Sequence, residues 1–219
     1  MVAHLTKSIL ELSQKGALIS VEESGQLLTL VSNLFVRLMR DAGHSSGQIT
    51  KITTKLRDSG RRSPPWKKTS STVIGLPQDG NDGNRINRWL LPEDHKFYAN
   101  QLNANLVELR YYLQCLSMSG APLLDESLQR AFSWLIEHPV IPGQYLDPIQ
   151  KININLDGIV DQARAIQSGH LIPLDRGGKH VPGNTFLMLA RSNQLQGNLT
   201  IAELLQLMRD IVSRHELHA

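Results

Sequence analysis

SGHLIPLDRGGKHVPGNTFLMLARSNQLQGNL, residues Ser168 to Leu199, is the stretch whose side chains point to chemistry as well as packing. His170-Leu171-Ile172 suits a short apolar strand that Pro173 ends. Asp175-Arg176-Gly177-Gly178 reads as a tight turn in which the glycines supply positive φ. Lys179 to Pro182 then returns as a second, irregular strand, and Gly183-Asn184 opens a short helix. Asn193 lies on that helix, nine positions beyond Asn184 and about two and a half turns on. A helix packed across the hairpin brings His170 near Asn193.

The joint order of His170-Leu171-Ile172-Pro173, Arg176-Gly177-Gly178, Asn184-Thr185, Leu187-Met188-Leu189, Asn193 and Gln196-Gly197 resembles the motif of the HNH nucleases, members of the ββα-metal superfamily. The likeness covers about thirty residues near the C-terminus and nothing before them. It implies a metal-dependent endonuclease in which His170 is the general base, taking a proton from the water that attacks phosphorus. An imidazole suits that task because its unperturbed pKa of ~6.5 leaves it mostly neutral at working pH. Under the resemblance Asn193 ligates Mg²⁺ (or Mn²⁺), a hard cation that prefers oxygen and keeps several waters. The metal stabilises charge on the scissile phosphate and the leaving oxygen. Asn184 braces the hairpin–helix geometry and so orients His170, while Arg176 and Lys179 touch phosphates beside the cut.

Two features depart from the family pattern. Gly169 stands where most HNH motifs place a metal-binding Asp, which leaves Asn193 as the one motif ligand. Related nucleases of the DRGH type carry a Gly there and hold a largely hydrated Mg²⁺ on one Asn. Asp161 and Asp175 are candidate second carboxylates, with no motif behind either. Leu189 and Ser192 occupy positions where many HNH proteins carry zinc-binding cysteines. No structural zinc is therefore expected, and Leu171, Phe186, Leu187 and Leu189 must hold the motif by packing. Singly, the same residues have plainer readings. A lone His on an apolar strand is usually structural, Asn184 fits a helix N-cap, and Asn193 fits a helix end before Gly197. His180 reads as a loop residue, with metal ligation as the alternative. Gly177-Gly178-Lys179 lacks the rest of a P-loop, and His215 and His218 suit a solvated tail.

Working back from the motif, Arg40 to Lys68 holds eight basic residues against Asp41 and Asp58 alone. That local excess of six leaves the remainder at −3, since the whole 219-residue chain is +3. Such asymmetry says more than net charge does. Lys55, Arg57, Arg61, Arg62, Lys67 and Lys68, on a helix leading into a Pro-containing loop with Trp66, form a fair surface for double-stranded DNA, joined by Lys179. Arg85 and Arg88 are lesser candidates. A solvated helix face followed by a flexible linker is the competing reading.

The rest of the chain reads as mainly α. Short helices are expected over Leu5–Leu12 and Gln48–Arg57. Between them a buried helix starts at a Ser20/Glu23 capping box and stops at Gly43. Residues 60–92 form a loop with a short strand near Thr72–Ile74, either a linker or a segment that orders on a partner. Helix resumes from Pro92 to about Met118 and from about Asp125 to Glu137. Ile141 to Asp147 is irregular, Lys151–Val160 alternates as a strand would, and a final helix begins at Thr200 with Glu203 as box partner. The expected organisation is thus a helical recognition and dimerisation region, 1–150, and a ββα-metal region with a C-terminal helix, 151–219.

No apolar run of ~18 residues exists, so no span of a membrane is expected. The N-terminal stretch lacks the basic start and apolar core of a signal peptide. The single Cys115 excludes an internal disulfide and zinc sites built on cysteine pairs, and a cytoplasmic setting is expected. The resemblance and the basic segment together suggest a sequence-specific endonuclease of the type II restriction kind, acting on duplex DNA as a homodimer. A phage or mobile-element nicking or homing nuclease, and an inactive helical DNA-binding protein with a degenerate motif, are the alternatives. An RNA nuclease or toxin is a more distant one.

Overall fold

The computed structural model of the chain describes residues 2–64, 66–68, 74–77 and 85–216, with side chains over 5–64 and 85–215. It begins with α1 (Val2–Ser13) and α2 (Val21–Asp41). The Ser20/Glu23 box opens α2: Glu23 N donates to Ser20 Oγ at 3.2 Å and Ser20 N to Glu23 Oε2 at 3.0 Å. Leu27, Leu28, Val31, Leu34, Phe35 and Met39 form its buried side. A second box, Ser45 with Gln48, starts α3 (Ser46–Gly60), which extends the expected helix at both ends. Past α3, Arg62 pairs with Asn87, and β1 (Trp66–Lys68) lies antiparallel to β2 (Ile74–Pro77). The strand expected near Thr72–Ile74 thus begins at Ile74, and Thr72 and Val73 lie outside the described residues.

From Pro92 to Asn100 the chain makes turns rather than helix. The long helix, α4 (Gln101–Leu116), starts where Asn100 accepts from Asn103 N at 2.8 Å, because a capping side chain within the sequence outcompetes the Pro-Glu-Asp start. α4 is the central strut. α2 and α3 pack on it, as does the C-terminal hairpin, so it is buried on nearly every side. Its buried polar residues are all paired, as burial in an apolar setting requires: Asn105 donates to Ser24 Oγ, Glu108 accepts from Arg61, and Gln114 accepts from Leu187 N. Each fully buried Leu of α4 contributes roughly 1.5–3 kcal/mol.

The expected helix over 125–137 is two pieces, α5 (Glu126–Ala131) and α6 (Ser133–Ile136), broken at Phe132, whose ring enters the core. The expected strand at 151–160 is α7 (Leu156–Asp161) preceded by single bridges at Asn153 and Asn155. Asn155 caps α7 by accepting from Gly158 N at 2.9 Å, so the asparagine decides against the alternation.

β3 (Ile166–His170) then pairs antiparallel with β4 (Thr185–Leu189), with His170 opposite Thr185 and Ile166 opposite Leu189. α8 (Ala190–Gln196) and α9 (Ile201–Glu216) complete the chain. The return strand is therefore Thr185–Leu189 rather than Lys179–Pro182, and the helix opens at Ala190 rather than Asn184. The run from Phe186 to Met188 is buried on both faces, and an apolar run without alternation is read equally well as helix. Leu187 N donates to Gln114, and Tyr145 donates to Leu187 O at 2.5 Å, so the far edge of β4 is covered from the helical side.

The apolar core is continuous from Ile9 to Leu187 and crosses position 150. A smaller cluster of Ile149, Phe186, Met188 and Leu204 seats α9 against the hairpin. The result is mainly helical, with the strands confined to two short hairpins among the described residues. No helix among those residues is long and apolar enough to cross a membrane.

Candidate active site

A cleft of about 470 Å³ opens between α3, the 85–88 segment and the ββα unit. Lys55, Arg85 and Arg88 line one wall, and His170, Asp175 and Asn193 line the other. His170 and Asn193, which lie 23 positions apart on β3 and α8, thus face a shared space. Asn193 Nδ2 donates to Gln167 on β3 at 2.6 Å, and no group holds Asn193 Oδ1 among the described residues. Gln196, one turn on, donates to the His170 carbonyl at 2.7 Å and fastens α8 to the end of β3.

The imidazole of His170 leans on a second histidine. His170 Nε2 is 3.2 Å from His180 Nδ1, and His180 Nε2 is 2.8 Å from the Gly60 carbonyl oxygen. Burial, then the nearby Arg88 charge, pulls His170 down to about 4 and His180 well below the ordinary histidine value. Both rings are neutral at neutral pH.

Arg88 is buried, at 5% exposure, and carries a charge without a counter-ion among the described residues. Its guanidinium donates only to carbonyls: Gly60 and Phe97 at 3.1 Å and Ser59 at 3.4 Å. Desolvation draws it down to about 10, so it remains a cation at neutral pH. Gly60 O therefore receives both Arg88 and His180. Its position depends on a close approach of α3 to α4, because a Cβ on Gly60 would lie 2.5 Å from Glu108 Cβ and 2.7 Å from its Cα.

The loop between the strands is held by Asn184. Ile172 N donates to its Oδ1 at 2.8 Å, and its Nδ2 donates to the Ile172 and Lys179 carbonyls at 3.0 and 2.8 Å. The paired glycines divide their work differently from expectation. Gly177 alone takes positive φ, at 82°, whereas Gly178 passes so close to the Ile172 carbonyl that a Cβ would overlap it. Asp147 anchors the start of α8. Its buried carboxylate accepts from Leu189 N at 2.9 Å and Ser192 Oγ at 2.8 Å, so Ser192 serves packing of that turn. Gly169 has a steric reason too. A Cβ there would meet Met188 Sδ at 2.3 Å and Phe186 Cε2 at 2.6 Å, so any side chain at this position must displace these two buried neighbours.

Lys55 faces the cleft, with desolvation and then Arg85 lowering its pKa. Arg57 pairs with Asp58, Arg61 with the buried Glu108, and Arg62 with Asp58 and the Arg85 carbonyl. The side chains of Trp66, Lys67 and Lys68 on β1, and His218, lie outside the described residues. Lys179 is exposed. Arg176 does not line the cleft; it is ion-paired with Glu203 in the first turn of α9. Asp161 accepts from Gln48 away from the cleft, whereas Asp175 borders it and pairs with Lys96 at 2.6 Å. Gly60 and Asp147 shape the site with no pattern to mark them, whereas Arg88, read as a lesser DNA contact, and His180, read as a loop residue, are buried on Gly60 O. The paired glycines ahead of His180 were the nearest signal, since they mark a loop under close constraint.

The donor chemistry bears on a metal. Among the described residues no three His, Cys, Asp or Glu side chains cluster as a metal cage. Asn193, Asp175 and Asp58 border the cleft and carry the oxygen donors a hard cation prefers, but Asp175 is paired with Lys96 and Asp58 with Arg57, Arg62 and Arg85, which leaves the Asn193 carboxamide as the donor without a charged partner among the described residues.

No family model matches the chain, and no curated protein matches it. Among solved structures, one described as "crystal structure of a type II restriction endonuclease" aligns at TM-score 0.47 and 19% identity, over 60% of this chain and 62% of that one. The match thus spans less than two thirds of that chain, and a likeness at that level decides nothing about activity.

Proposed function

We propose that the protein is a metal-dependent endonuclease of the HNH type that hydrolyses phosphodiester bonds in double-stranded DNA. The carrying observation is the shared cleft. A neutral histidine and a carboxamide oxygen share the cleft with Lys55, Arg85 and Arg88, and among the described residues that oxygen has no partner and Arg88 no counter-ion. A phosphodiester anion supplies the charge that Arg88 lacks, and a low-dielectric wall strengthens the attraction. His170 takes a proton from the attacking water, and the anion beside it offsets the Arg88 charge that otherwise opposes imidazolium formation. Asn184 and Gln196 keep the end of β3 in place while this happens. Asn193, with Asp175 nearby, would hold Mg²⁺ or Mn²⁺, which stabilises negative charge on the phosphate and leaving oxygen when bound. The proposal extends to sequence-specific cleavage by a homodimer, in which each strand meets one active site and the helical region in front of the motif carries recognition.

The test is plasmid DNA with Mg²⁺ or Mn²⁺ against an EDTA control. Discrete fragments support specific cleavage, a smear non-specific cleavage, and open circles a nickase. Intact plasmid in every metal, with salt-dependent duplex binding retained, favours the inactive DNA-binding protein instead, a reading that draws on the crowded position at Gly169.

A further inference from the structure

We propose that His180 is a positioning residue that accepts the Nε2–H of His170, so that the lone pair of His170 is carried on Nδ1. The inference deepens the nuclease reading and rests on it for its catalytic meaning, but its structural half stands alone. A carbonyl oxygen can only accept, so at 2.8 Å from Gly60 O the Nε2 of His180 must carry a proton. A neutral His180 then has its lone pair on Nδ1. That atom is 3.2 Å from His170 Nε2, which must donate to it. The opposite assignment sets the lone pairs of His180 Nε2 and Gly60 O against each other. A doubly protonated His180 places a second uncompensated cation, at 1% exposure, beside Arg88.

The contacts that orient His170 begin on α3. Gly60 can approach α4 because it has no side chain, its carbonyl orients His180, and His180 orients His170. The two rings sit with centroids 5.5 Å apart and planes inclined at 53°, which suits an in-plane hydrogen bond rather than a stack. When His170 Nδ1 accepts the proton of the attacking water, the ring becomes imidazolium with Nε2–H still donated to His180, and no further proton needs to move.

The test joins a spectroscopic readout to kinetics. Long-range ¹H–¹⁵N correlation spectra of the ¹⁵N-histidine protein, assigned through His170→Gln and His180→Asn, are expected to show both rings in the Nε2–H form. His180→Leu removes the acceptor and is expected to lower kcat by roughly ten- to a hundredfold with KM changed little. His180→Asn offers Oδ1 near the position of Nδ1 and is expected to restore most of it. A wild-type His170 protonated on Nδ1, or a folded His180→Leu protein with unchanged kcat, overturns the proposal. Should His180→Leu fail to fold, the wild-type spectrum and the Asn variant still decide. A wild-type protein that cleaves nothing refutes the nuclease reading and leaves the tautomer test standing.

Discussion

Acid should destabilise this fold through two neutral histidines, the buried His180 and the half-buried His170. In the unfolded chain a histidine takes up its proton near pH 6.5; in the folded chain His170 does so only at about 4. Between those values the unfolded state binds more protons, so the stabilisation is present in full above 6.5 and is lost as pH falls towards 4. A shift of about 2.5 units at 1.36 kcal/mol each makes about 3 kcal/mol, an upper figure because the ring borders a cleft. His180 acts in the same direction. Urea unfolding in half-unit steps from pH 7.5 to 4 measures this, with His170→Gln as the partner protein. The stability gap between the two should close, or change sign, by about 3 kcal/mol across the range. Glu203, held down to about 2 by Arg176 and the Thr200 cap, titrates in a lower window and is common to both proteins. Parallel curves for wild type and variant would refute the claim that His170 is kept neutral by burial and Arg88.

Three further outcomes follow from the same geometry. Gly60→Ala drives a methyl into Glu108 and should cost about 1–3 kcal/mol in chemical denaturation, with the His180 tautomer disturbed in the same spectra. Gly169→Asp, which places an acid where most HNH motifs carry one, should lose stability by a similar ~1–3 kcal/mol without tighter Mg²⁺ binding by calorimetry, because Met188 and Phe186 occupy the space. Lys55→Ala should weaken duplex binding at low salt and reduce the slope of log affinity against log salt by about one, as loss of one phosphate contact requires.

Local rules made much of the chain legible in one dimension. The boxes at Ser20/Glu23 and Thr200/Glu203 and the apolar period of α2 are short-range effects, so they survive into the structure unchanged. Where two local signals compete, the stronger cap wins, as Asn100 and Asn155 do over the patterns around them. The run from Phe186 to Met188 misled for a different reason. Burial on both faces erases the alternation that marks a strand, and that burial comes from α4 and Tyr145, more than forty residues earlier, and from α9, which follows it.

The candidate site divides along the same line. His170, Asn184 and Asn193 could be named from order and spacing, because they lie in one contiguous stretch that folds as β3, β4 and α8. Their neighbours could not. Arg88 comes from a Pro- and Gly-rich loop and Gly60 from the end of a helix that precedes His170 by more than a hundred residues. Sequence alone determined the local elements and the chemical types available, because propensity, capping and spacing act within a few residues. Tertiary structure alone decided which charge lacks a counter-ion among the described residues, which ring nitrogen keeps its lone pair and why a side chain at position 169 must displace Met188 and Phe186. Those depend on burial and on contacts made across the chain.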